Sequence, residues 1–395
     1  MYIKSNQTKL PIIYPQNNTY LNNKKYILHI LEPEPLGEIG GADTHVISLC
    51  QAQLKKSKYN PVVLINQNRD YAYMLKNAQI AYIDGTQLKS KKLGLIHYAK
   101  YVPQILNIHC IHSHQYDANY ITYLLNKFYK KTWGRIPIVM TCHGWVRTSI
   151  KNKIKTELDF YTYSIANILI AVSKKDCNYL KEHINNKSIY YIPNGVYNKS
   201  DTPTNNKDYY KQIFNLPVKT AIIAYIGRLA PEKRIDIYLR ACQEIYQQNE
   251  NVIFLVVGSG EEEKKLKKLA TSLGIGKHTY FLGIIKKIEY IYIIADIVIL
   301  SSDTETTSRT VLEAMSFGKS VIATNVGGLP DIICSYKNGI LVQKGNYAKI
   351  ADAAISLLNN ANLSQRIGIK AAETIKQKFT IDIMRDAIEE VYDKL

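Results

Sequence analysis

Residues 303–332 read DTETTSRTVLEAMSFGKSVIATNVGGLPDI, and with the apolar run before them they predict one complete step of a strand and helix pattern. The run IVILSS (297–302) predicts a buried strand that ends at Ser302. The segment SRTVLEAMSFG predicts a helix beginning near Ser308, and VIAT (321–324) predicts the next strand. Continuous Ile/Val runs, rather than apolar residues at every second position, are typical of strands buried on both faces of a parallel sheet.

The alternation of strands and helices extends over most of the chain and restarts once. In the first half it runs from YILHIL (26–31) to ILIAVS (168–173), and in the second half it resumes at AIIAYIG (221–227). The polar stretch YNKSDTPTNNKD (197–208) between them has the composition of a linker. The final segment is helical, with a break near Phe379.

This organisation predicts two Rossmann-like, doubly wound α/β domains. We place them at residues 1–198 and 199–378, followed by a C-terminal helix at 379–395 that crosses back to the first domain. A chain of 395 residues suits two domains of ordinary size. Ligands of open α/β sheets bind at the carboxyl ends of the strands, so we expect the chemistry at those edges, in a cleft between two facing sheets.

Composition argues against several classes of protein. The hydrophobic share of 46% is ordinary for a globular chain and argues against disorder. Residues 1–26 lack the apolar core of a signal peptide, and the most apolar run, YIYIIADIVIL (290–300), is shorter than the roughly 20 residues of a membrane-spanning helix. The six cysteines stand singly, without CxxC or Cys/His spacing. They predict no metal site and fit a reducing compartment such as the cytoplasm.

The net charge of +18 is distributed unevenly. Residues 1–198 hold 25 Lys/Arg and 11 Asp/Glu, whereas residues 199–395 hold 26 and 22. One interpretation is a compositional bias toward Lys, Asn, Ile and Tyr throughout the chain. The second is that the first half faces an anionic partner such as a phospholipid surface, through the basic clusters KSKK (89–92), FYKK (128–131) and KNKIK (151–155).

The segment GRLAPEKRID (227–236) places two cations at a strand-to-helix turn. Such a turn already presents unpaired backbone amides to an anion. The guanidinium of Arg228 and the ammonium of Lys233 would add charge-assisted hydrogen bonds that suit a diphosphate. The alternative is that both side chains are solvated surface cations.

The opening stretch supplies carboxylates beside a second strand-to-helix turn. Glu305 lies in the loop before the predicted helix and Glu313 lies within it, while Thr307 or Ser308 can cap its N-terminus. A carboxylate accepts two hydroxyl donors at once, so Glu305 suits a hexose and Glu313 a ribose. The alternative is that Glu305 caps the helix and Glu313 is merely exposed.

The first half offers weaker signals for a site. Gly40 and Gly41 lie between a predicted strand and a predicted helix, where glycine allows the backbone to approach a ligand closely. His112, His114 and His143 lie at strand ends, and His143, which precedes a glycine, is the one that we expect to line the cleft and contact a sugar hydroxyl. For any single histidine here, a core position is the commoner outcome.

Taken in order, these segments resemble a known family. The chain contains GGADTHV, TCHGW, IAVS, IPNGV, GRLAPEKRID, VVGSGEEEKKLKKLA, FLG, Glu305-x7-Glu313 and VIATNVGGLPDII. Their order resembles that of the retaining glycosyltransferases of family 4, which have the GT-B architecture of two facing Rossmann-like domains. The resemblance covers roughly residues 25–395 and is most specific in the second half.

The resemblance implies roles for particular residues. The C-terminal domain would bind a nucleoside-diphosphate sugar and the N-terminal domain the acceptor, with no metal and no cofactor other than the donor substrate. The residues that the resemblance places beside the reacting sugar and its diphosphate are His143, Glu305, Arg228 and Lys233. The residues that we expect around the donor, from the resemblance and from the predicted helix start together, are Gly40, Gly41, Arg228, Lys233, Glu305, Thr307, Ser308, Arg309 and Glu313.

Two departures from the family pattern affect the sugar pocket. The family often has Glu-Gly-x-Pro where this chain has ETTSR, so Thr306 and Arg309 alter the loop that shapes the hexose site. IPNGV, which is usually followed by Asp, is followed here by Tyr197. The diphosphate-binding residues match the family, whereas the identity of the transferred sugar does not follow from the pattern.

The sequence therefore predicts transfer of a hexosyl unit, from a UDP-sugar in preference to other nucleoside-diphosphate sugars, to a hydroxyl of a lipid-linked or cell-surface glycan intermediate. The same donor chemistry on a soluble small molecule or protein is an alternative acceptor. An epimerase or phosphorylase of the same architecture, a catalytically silent homologue and a basic nucleic-acid-binding protein are competing hypotheses. The nucleic-acid-binding protein is disfavoured because no RNA-binding or helix-turn-helix motif is present.

Overall fold

The computed structural model describes residues 4–5, 8–9, 12–13, 25–32, 40–65, 69–84, 102–145, 150–185, 187–199 and 207–395. The chain divides into two compact units. The first unit comprises Met1–Asn194 together with Ile381–Leu395, and the second comprises Gly195–Thr380. The chain therefore passes between the units twice, and its last helix belongs to the first.

Both units are built from strands and helices that alternate along the chain. The strands are β1 (Lys4–Ser5), β2 (Thr8–Lys9), β3 (Ile12–Ile13), β4 (Lys25–Leu31), β5 (Tyr59–Ile65), β6 (Ala81–Asp84), β7 (Ile108–His114), β8 (Ile138–Cys142), β9 (Ile168–Ala171), β10 (Ser188–Tyr191), β11 (Ala221–Ile226), β12 (Val252–Val257), β13 (Thr279–Gly283), β14 (Ile297–Leu300), β15 (Ser320–Thr324) and β16 (Ile340–Val342).

The α-helices cover more of the described chain than the strands do. They are α1 (Gly41–Lys55), α2 (Arg69–Asn77), α3 (Val102–Ile105), α4 (Tyr116–Phe128), α5 (Ile150–Thr162), α6 (Lys174–His183), α7 (Lys207–Ile213), α8 (Ile235–Gln248), α9 (Glu263–Ser272), α10 (Glu289–Ile294), α11 (Arg309–Ser316), α12 (Leu329–Ile332), α13 (Tyr347–Asn359), α14 (Ala361–Lys378) and α15 (Ile381–Tyr392).

The first unit contains an eight-stranded sheet in the order β10-β9-β8-β7-β4-β5-β6-β3. Its strands pair in parallel, except that β3 is antiparallel to β6 at one edge. The second unit contains a six-stranded, wholly parallel sheet in the order β13-β12-β11-β14-β15-β16. The predicted doubly wound α/β class is confirmed for both units.

The strand order explains where a site can form. In the second unit the chain moves outward from β11 to β13 and then returns to start again at β14, which pairs with β11. In the first unit the corresponding reversal lies between β4 and β7. At such switch points the connections leave in opposite directions and open a crevice beyond the carboxyl ends of the two strands.

The apolar runs form strands because both faces of each sheet are covered. All six residues of β12 are buried, as are all seven of β5. Along β11, Ile222, Ala224 and Ile226 pack into one apolar core, and Ile223 and Tyr225 pack into another on the opposite face. Burial on both faces removes the alternation of polar and apolar residues that a half-exposed strand would show.

The C-terminal segment breaks where the sequence predicts, between α14 and α15 at Phe379 and Thr380. The last helix packs within the first unit, where the Tyr392 hydroxyl lies 2.6 Å from Nδ1 of His112 on β7. Tyr59 on β5 also donates its hydroxyl proton to Asp393, with a distance of 2.6 Å between the oxygens. Among the described residues, no helix combines the length and apolarity that crossing a bilayer requires.

Candidate active site

In the second unit, three loops meet at the carboxyl edge of the sheet beside the switch point. Ser301, just after β14, donates its hydroxyl proton to the carbonyl of Arg234, with a distance of 2.7 Å between the oxygens. The amide of Asp303 donates to the carbonyl of Glu232 at 2.8 Å. These bonds fix the loop after β14 against the turn after β11, so the predicted carboxylates and cations are held in one place.

The third loop, after β15, packs against the backbone of Glu305. Gly328 donates its amide proton to the Glu305 carbonyl at 3.2 Å. Gly327 has φ of +55°, and a Cβ there would lie 1.5 Å from that carbonyl oxygen. A residue with a side chain would therefore meet both left-handed strain and a direct clash. Gly327 is therefore required for the approach of this loop to Glu305.

Lys233 and Glu305 form an ion pair, with 2.7 Å between Nζ and Oε1. Ser302 donates its hydroxyl proton to the same Oε1 at 2.7 Å. The Glu305 side chain is only 9% exposed and that of Lys233 is 23% exposed. An ammonium has three donors, so Lys233 can contact Glu305 and an anionic oxygen together. The structure thus joins two predicted site residues from loops 72 positions apart in the sequence.

Arg309 and Glu313 form a second pair, one turn apart on α11. The distance from Arg309 Nη2 to Glu313 Oε1 is 2.9 Å, and the Tyr292 hydroxyl donates to Oε2 at 3.0 Å. Both carboxylate oxygens therefore have a partner, while the side chain stays 27% exposed. Each oxygen retains a lone pair for a further hydroxyl donor.

The helix that carries this pair begins as the sequence predicts. Ser308 is its N-cap, and its hydroxyl oxygen accepts from the amide of Val311 at 3.5 Å. Thr307 and Ser308 are both buried. Thr310 ties the helix to the end of β11 by donating to the Ile226 carbonyl at 3.2 Å. The cap is thus Ser308, which settles the choice between Thr307 and Ser308.

Arg228 lies on the same turn, beside another carboxylate. Its Nη2 is 2.6 Å from Oε1 of Glu232, and 44% of its side chain is exposed. Arg234, which sequence reasoning did not single out, pairs with Asp236 at 2.9 Å and lies 3.4 Å from Asp303. The hydrogen bonds that Arg234 donates to the Asp236 carboxylate raise the pKa of its guanidinium. The turn therefore carries three cations, of which Arg228 is the most exposed.

In the first unit, the two predicted glycines stand at the start of α1. The Gly40 amide donates to Oδ2 of Asp43 at 2.8 Å, and Thr44 donates its hydroxyl proton to the Gly40 carbonyl at 3.2 Å. Gly41 opens the helix, and a Cβ built there meets no described atom within 4 Å. With respect to the described residues, the glycine turn therefore has an open side at Gly41. The preceding part of the motif, residues 37–39, lies outside the described residues.

His143 lies just beyond the carboxyl end of β8 and contacts other histidines. Its Nε2 is 3.4 Å from Nδ1 of His114, and its ring centroid is 4.8 Å from that of His45 on α1. His45 in turn has its Nδ1 2.8 Å from the Asn194 side-chain oxygen. Burial lowers the pKa of His143 to about 4. The imidazole is therefore neutral near pH 7 and can both donate and accept a hydrogen bond.

The histidine network continues into the sheet. His29 on β4 has Nδ1 3.1 Å from Nε2 of His114 and Nε2 3.1 Å from Oε1 of Gln53. His112 contacts the hydroxyls of Tyr392 and Thr141 at 2.6 and 2.7 Å. Burial lowers the pKa of His29 to about 4 and lowers those of His112 and His114 as well. Burial disfavours the charged form of each ring. Because the rings are neutral, they can pack together without repelling one another.

The network also has the spacing of a metal-binding cluster. One imidazole nitrogen from each of His45, His114 and His143 lies within 4.8 Å of the others, and the same holds for His29, His112 and His114. Neutral imidazoles at such distances can bind a transition-metal ion. Hydrogen bonds already occupy both ring nitrogens of His112, so the set around His143 is the better candidate of the two.

Sequence reasoning missed several residues that hold the site together. These are Tyr292, Ser302 and Arg234 in the second unit, and His29, His45, Gln53 and Asn194 in the first. A related signal lies in two histidines already singled out from the sequence, His112 and His114, which stand two apart in a strand and so point to the same face. The rest depend on contacts between residues far apart in the sequence.

Two family models match adjoining parts of the chain. Glycosyl transferases group 1 matches residues 206–374, and Glycosyltransferase Family 4 matches residues 39–198. The chain is 28% identical over 302 residues to N-acetyl-alpha-D-glucosaminyl L-malate synthase of Bacillus anthracis. This match covers 74% of this chain and 76% of that protein. The chain is 26% identical over 330 residues to D-inositol 3-phosphate glycosyltransferase of Corynebacterium diphtheriae, spanning 78% and 75%.

The structure is also similar to solved structures. It matches that of Anabaena HepE in complex with UDP-glucose with a TM-score of 0.81 and 20% identity, covering 94% of this chain and 100% of that one. The two parallel-sheet α/β units thus have the GT-B fold that the sequence predicts. With both halves matched by family models, the chain belongs to the group 1, family 4 glycosyltransferases.

Proposed function

We propose that the protein transfers a hexosyl unit from a nucleoside-diphosphate sugar, with UDP as the favoured nucleotide, to an acceptor hydroxyl and retains the anomeric configuration. The observation that carries this proposal is the Lys233–Glu305 pair at the switch point of the second sheet, 2.7 Å apart. The likeness to a structure holding UDP-glucose supports the choice of donor.

The departing diphosphate would be stabilised by fixed positive charge. Arg228 and Lys233 follow β11, and the N-terminus of α11 lies against the end of the same strand through Thr310. Charged donors and helix amides that are already in position stabilise the transition state more than water does. They need no reorganisation when negative charge develops on the leaving diphosphate. No protein nucleophile is required in this scheme.

The carboxylates would hold neutral hydroxyls. Glu305 is fixed by Lys233 and Ser302, and Glu313 by Arg309 and Tyr292. We assign Glu305 to the hexose and Glu313 to the ribose. Each carboxylate can accept a hydroxyl proton in addition to the bonds that orient it.

His143 would contact the transferred sugar as a neutral ring. Its lowered pKa removes the positive charge, so it offers a hydrogen bond rather than an ion pair. We propose that the reaction needs no metal ion. Because histidines surround His143 at metal-binding distances, this needs a direct test. Turnover should be unchanged after dialysis against EDTA, and dependence on added Mn²⁺ or Zn²⁺ would contradict it.

For the acceptor we propose a lipid-linked or cell-surface glycan intermediate, reached by a cytoplasmic enzyme at an anionic membrane surface. The excess of Lys/Arg in residues 1–198 supports this choice. A soluble acceptor is the second candidate, because two relatives are named for L-malate and D-inositol 3-phosphate.

The donor assignment is tested by thermal-shift measurements with UDP-, GDP- and ADP-sugars, followed by NMR of the product. We expect stabilisation by a UDP-sugar and a product whose anomeric configuration equals that of the donor. Inversion of that configuration would overturn the mechanism. Release of sugar 1-phosphate or an epimerised nucleotide would instead indicate a phosphorylase or an epimerase. Salt-sensitive DNA binding with no response to any sugar nucleotide would favour a nucleic-acid-binding protein.

A further inference from the structure

Helices α4 and α5 of the first unit lie side by side and run in the same direction. Three hydrogen-bonded pairs join them in the same order along both helices: Lys155 with Asp117 at 3.2 Å, Asn119 with Asp159 at 2.7 Å, and Tyr123 with Tyr161 at 3.1 Å. Asn119 and Asp159 are buried, so the side of the two helices on which these two residues lie faces the interior of the protein. The opposite side is open to solvent.

The open side carries several large apolar residues. On α5, Ile154, Leu158 and Tyr161 are 63%, 43% and 59% exposed, and their spacing of four and three places them on one stripe. On α4, Tyr120 and Phe128 are 40% and 64% exposed. We call these five residues the α4–α5 face. Grouped exposed apolar side chains of this kind mark an interaction surface.

Positive charge accompanies the apolar side chains. Lys127, Lys130, Lys131 and Arg135 are exposed at the end of α4 and just beyond it, and Lys127 Nζ lies 5.8 Å from the Tyr123 ring centroid. Residues 116–135 and 150–162 hold seven Lys/Arg and three Asp/Glu. Of the predicted basic clusters, FYKK (128–131) therefore adjoins this face and KNKIK (151–155) lies on α5, whereas KSKK (89–92) lies outside the described residues.

This combination fits a bilayer better than a protein partner. Lysine is depleted in protein–protein interfaces, whereas lysine beside tyrosine, phenylalanine and aliphatic residues is typical of helices that lie in the headgroup region. The apolar groups would enter the acyl boundary while the lysine stems extend to the anionic headgroups. The charge complementarity thus selects an anionic phospholipid surface as the occupant.

The position of the face suits an acceptor held in a membrane. Helix α4 starts two residues after His114, at the carboxyl end of β7, and α5 is the helix that follows His143 and β8. The N-terminal ends of both helices therefore lie toward the edge of the sheet that carries His143. A lipid-linked acceptor would reach that edge from a bilayer in contact with the helices.

We propose that the α4–α5 face docks the protein on anionic phospholipid bilayers and so presents lipid-linked acceptors to the first unit. Only the role of the acceptor rests on the proposed glycosyl transfer, since the docking itself needs no catalysis. Docking is tested with the full chain by sedimentation with vesicles of phosphatidylcholine, with or without about one-third phosphatidylglycerol. We expect binding to the anionic vesicles only, and its loss in high salt.

Two sets of variants test which residues are responsible. Replacing Ile154 and Leu158 together by Ser should weaken binding by more than about tenfold, because two partly inserted apolar side chains are lost. The matched control is Ile284→Ser in the second unit, where the side chain is 65% exposed and binding should not change. Replacing Lys127, Lys130 and Lys131 by Gln should weaken binding by about fivefold for each lysine. Replacing the exposed Lys264, Lys268 and Lys277 of the second unit provides its control.

Several results would overturn the proposal. Equal sedimentation with both kinds of vesicle would do so, as would equal binding by the two test variants and the wild type. Self-association that the Ile154/Leu158 variant abolishes, without vesicle binding by the wild type, would show that a second copy covers the face. The thermal response to UDP serves as an independent readout. Its absence alongside intact vesicle binding would contradict the proposed function and leave docking standing.

Discussion

Lys233 and Glu305 each carry a charge that the other neutralises, and both are largely buried at the carboxyl edge of the second sheet. An ion pair in such a place contributes little net stability, because desolvation of the two charges offsets their attraction. Its value is positional, since a fixed ammonium beside a fixed carboxylate can serve a phosphate and a sugar hydroxyl that are a few ångströms apart.

The cations of this turn are predicted to be essential for turnover. Lys233→Ala or Arg228→Ala should lower kcat by more than about a hundredfold, because each removes a charged donor worth on the order of 3 kcal/mol in the transition state. The measurement is steady-state kinetics with the UDP-sugar that gives the largest thermal shift. Lys264→Ala, a change to an exposed lysine on α9, is the matched control. Near-normal turnover by both test variants would remove the diphosphate assignment.

The close approach of Gly327 to Glu305 supports a prediction about stability. Gly327→Ala should lower the free energy of unfolding by more than about 2 kcal/mol, because left-handed strain adds to a clash with the Glu305 carbonyl. Gly274→Ala is the control, since Gly274 also has a positive φ, of +76°, but no described atom lies within 4 Å of the added Cβ. It should cost about 1 kcal/mol, from strain alone.

Chemical denaturation measures the free energy of unfolding of both glycine variants. If Gly327→Ala is no less stable than Gly274→Ala, the loop after β15 does not need its contact with Glu305. A second readout follows from the site itself. The affinity for the donor should fall in Gly327→Ala and stay unchanged in Gly274→Ala, because only the first displaces the Glu305 loop.

At this scale the sequence predicts types of residue better than their partners. Arg228, Lys233, Glu305 and Glu313 could be named because strand-to-helix turns are local features. Their partners could not be named, since the pairing of Glu313 with Tyr292 depends on how two helices pack. Such packing leaves no periodic signal in the sequence.

At the scale of elements, the histidine network joins β4, β7, α1 and the segment after β8. Each contact depends on the register of the parallel strands, which places His29 directly beside His112. Strand existence follows from the Ile/Val runs, but register is set by packing and turns. For this reason single histidines could be noticed in the sequence while their assembly could not.

The network predicts a characteristic dependence of stability on pH. The pKa of fully buried His29 is about 4 in the folded protein and 6.5 in the unfolded chain. As the pH falls from 6.5 to 4, the unfolded chain therefore gains a proton that the folded protein does not. Each such histidine should lower the free energy of unfolding by up to about 1.4 kcal/mol for each unit by which the pH falls in this range. Above pH 6.5 the ring is neutral in both states, and this loss of stability disappears.

Urea denaturation at a series of pH values tests this dependence. His29→Gln should reduce the slope between pH 6.5 and 4, whatever its effect on absolute stability. His183→Gln changes an exposed residue on α6 and should leave the slope as it is in the wild type. An unchanged slope in His29→Gln would mean that this ring is protonated in the folded protein.

At the scale of the whole molecule, the order of elements decides which parts belong together. Alternating strands and helices determine the two parallel sheets, and right-handed crossovers determine on which face each helix lies. The sequence does not show the strand order β10-β9-β8-β7-β4-β5-β6-β3, because apolar runs are nearly interchangeable between central positions. The family resemblance supplies what the pattern of residues leaves open.

Substitutions in the last helix can test the division of the molecule into two units. Ile388 on α15 is 1% exposed and lies in the first unit, although it follows the whole second unit in the sequence. Ile388→Ala should destabilise the first unit by about 2–5 kcal/mol through lost burial and a residual cavity. Ile383→Ala, on the same helix but 40% exposed, should cost well under half of that. Amide hydrogen exchange read by mass spectrometry should show faster opening of β5 and β7 in Ile388→Ala, with β12 unchanged. Equal acceleration of β12 would show that the two units unfold as one.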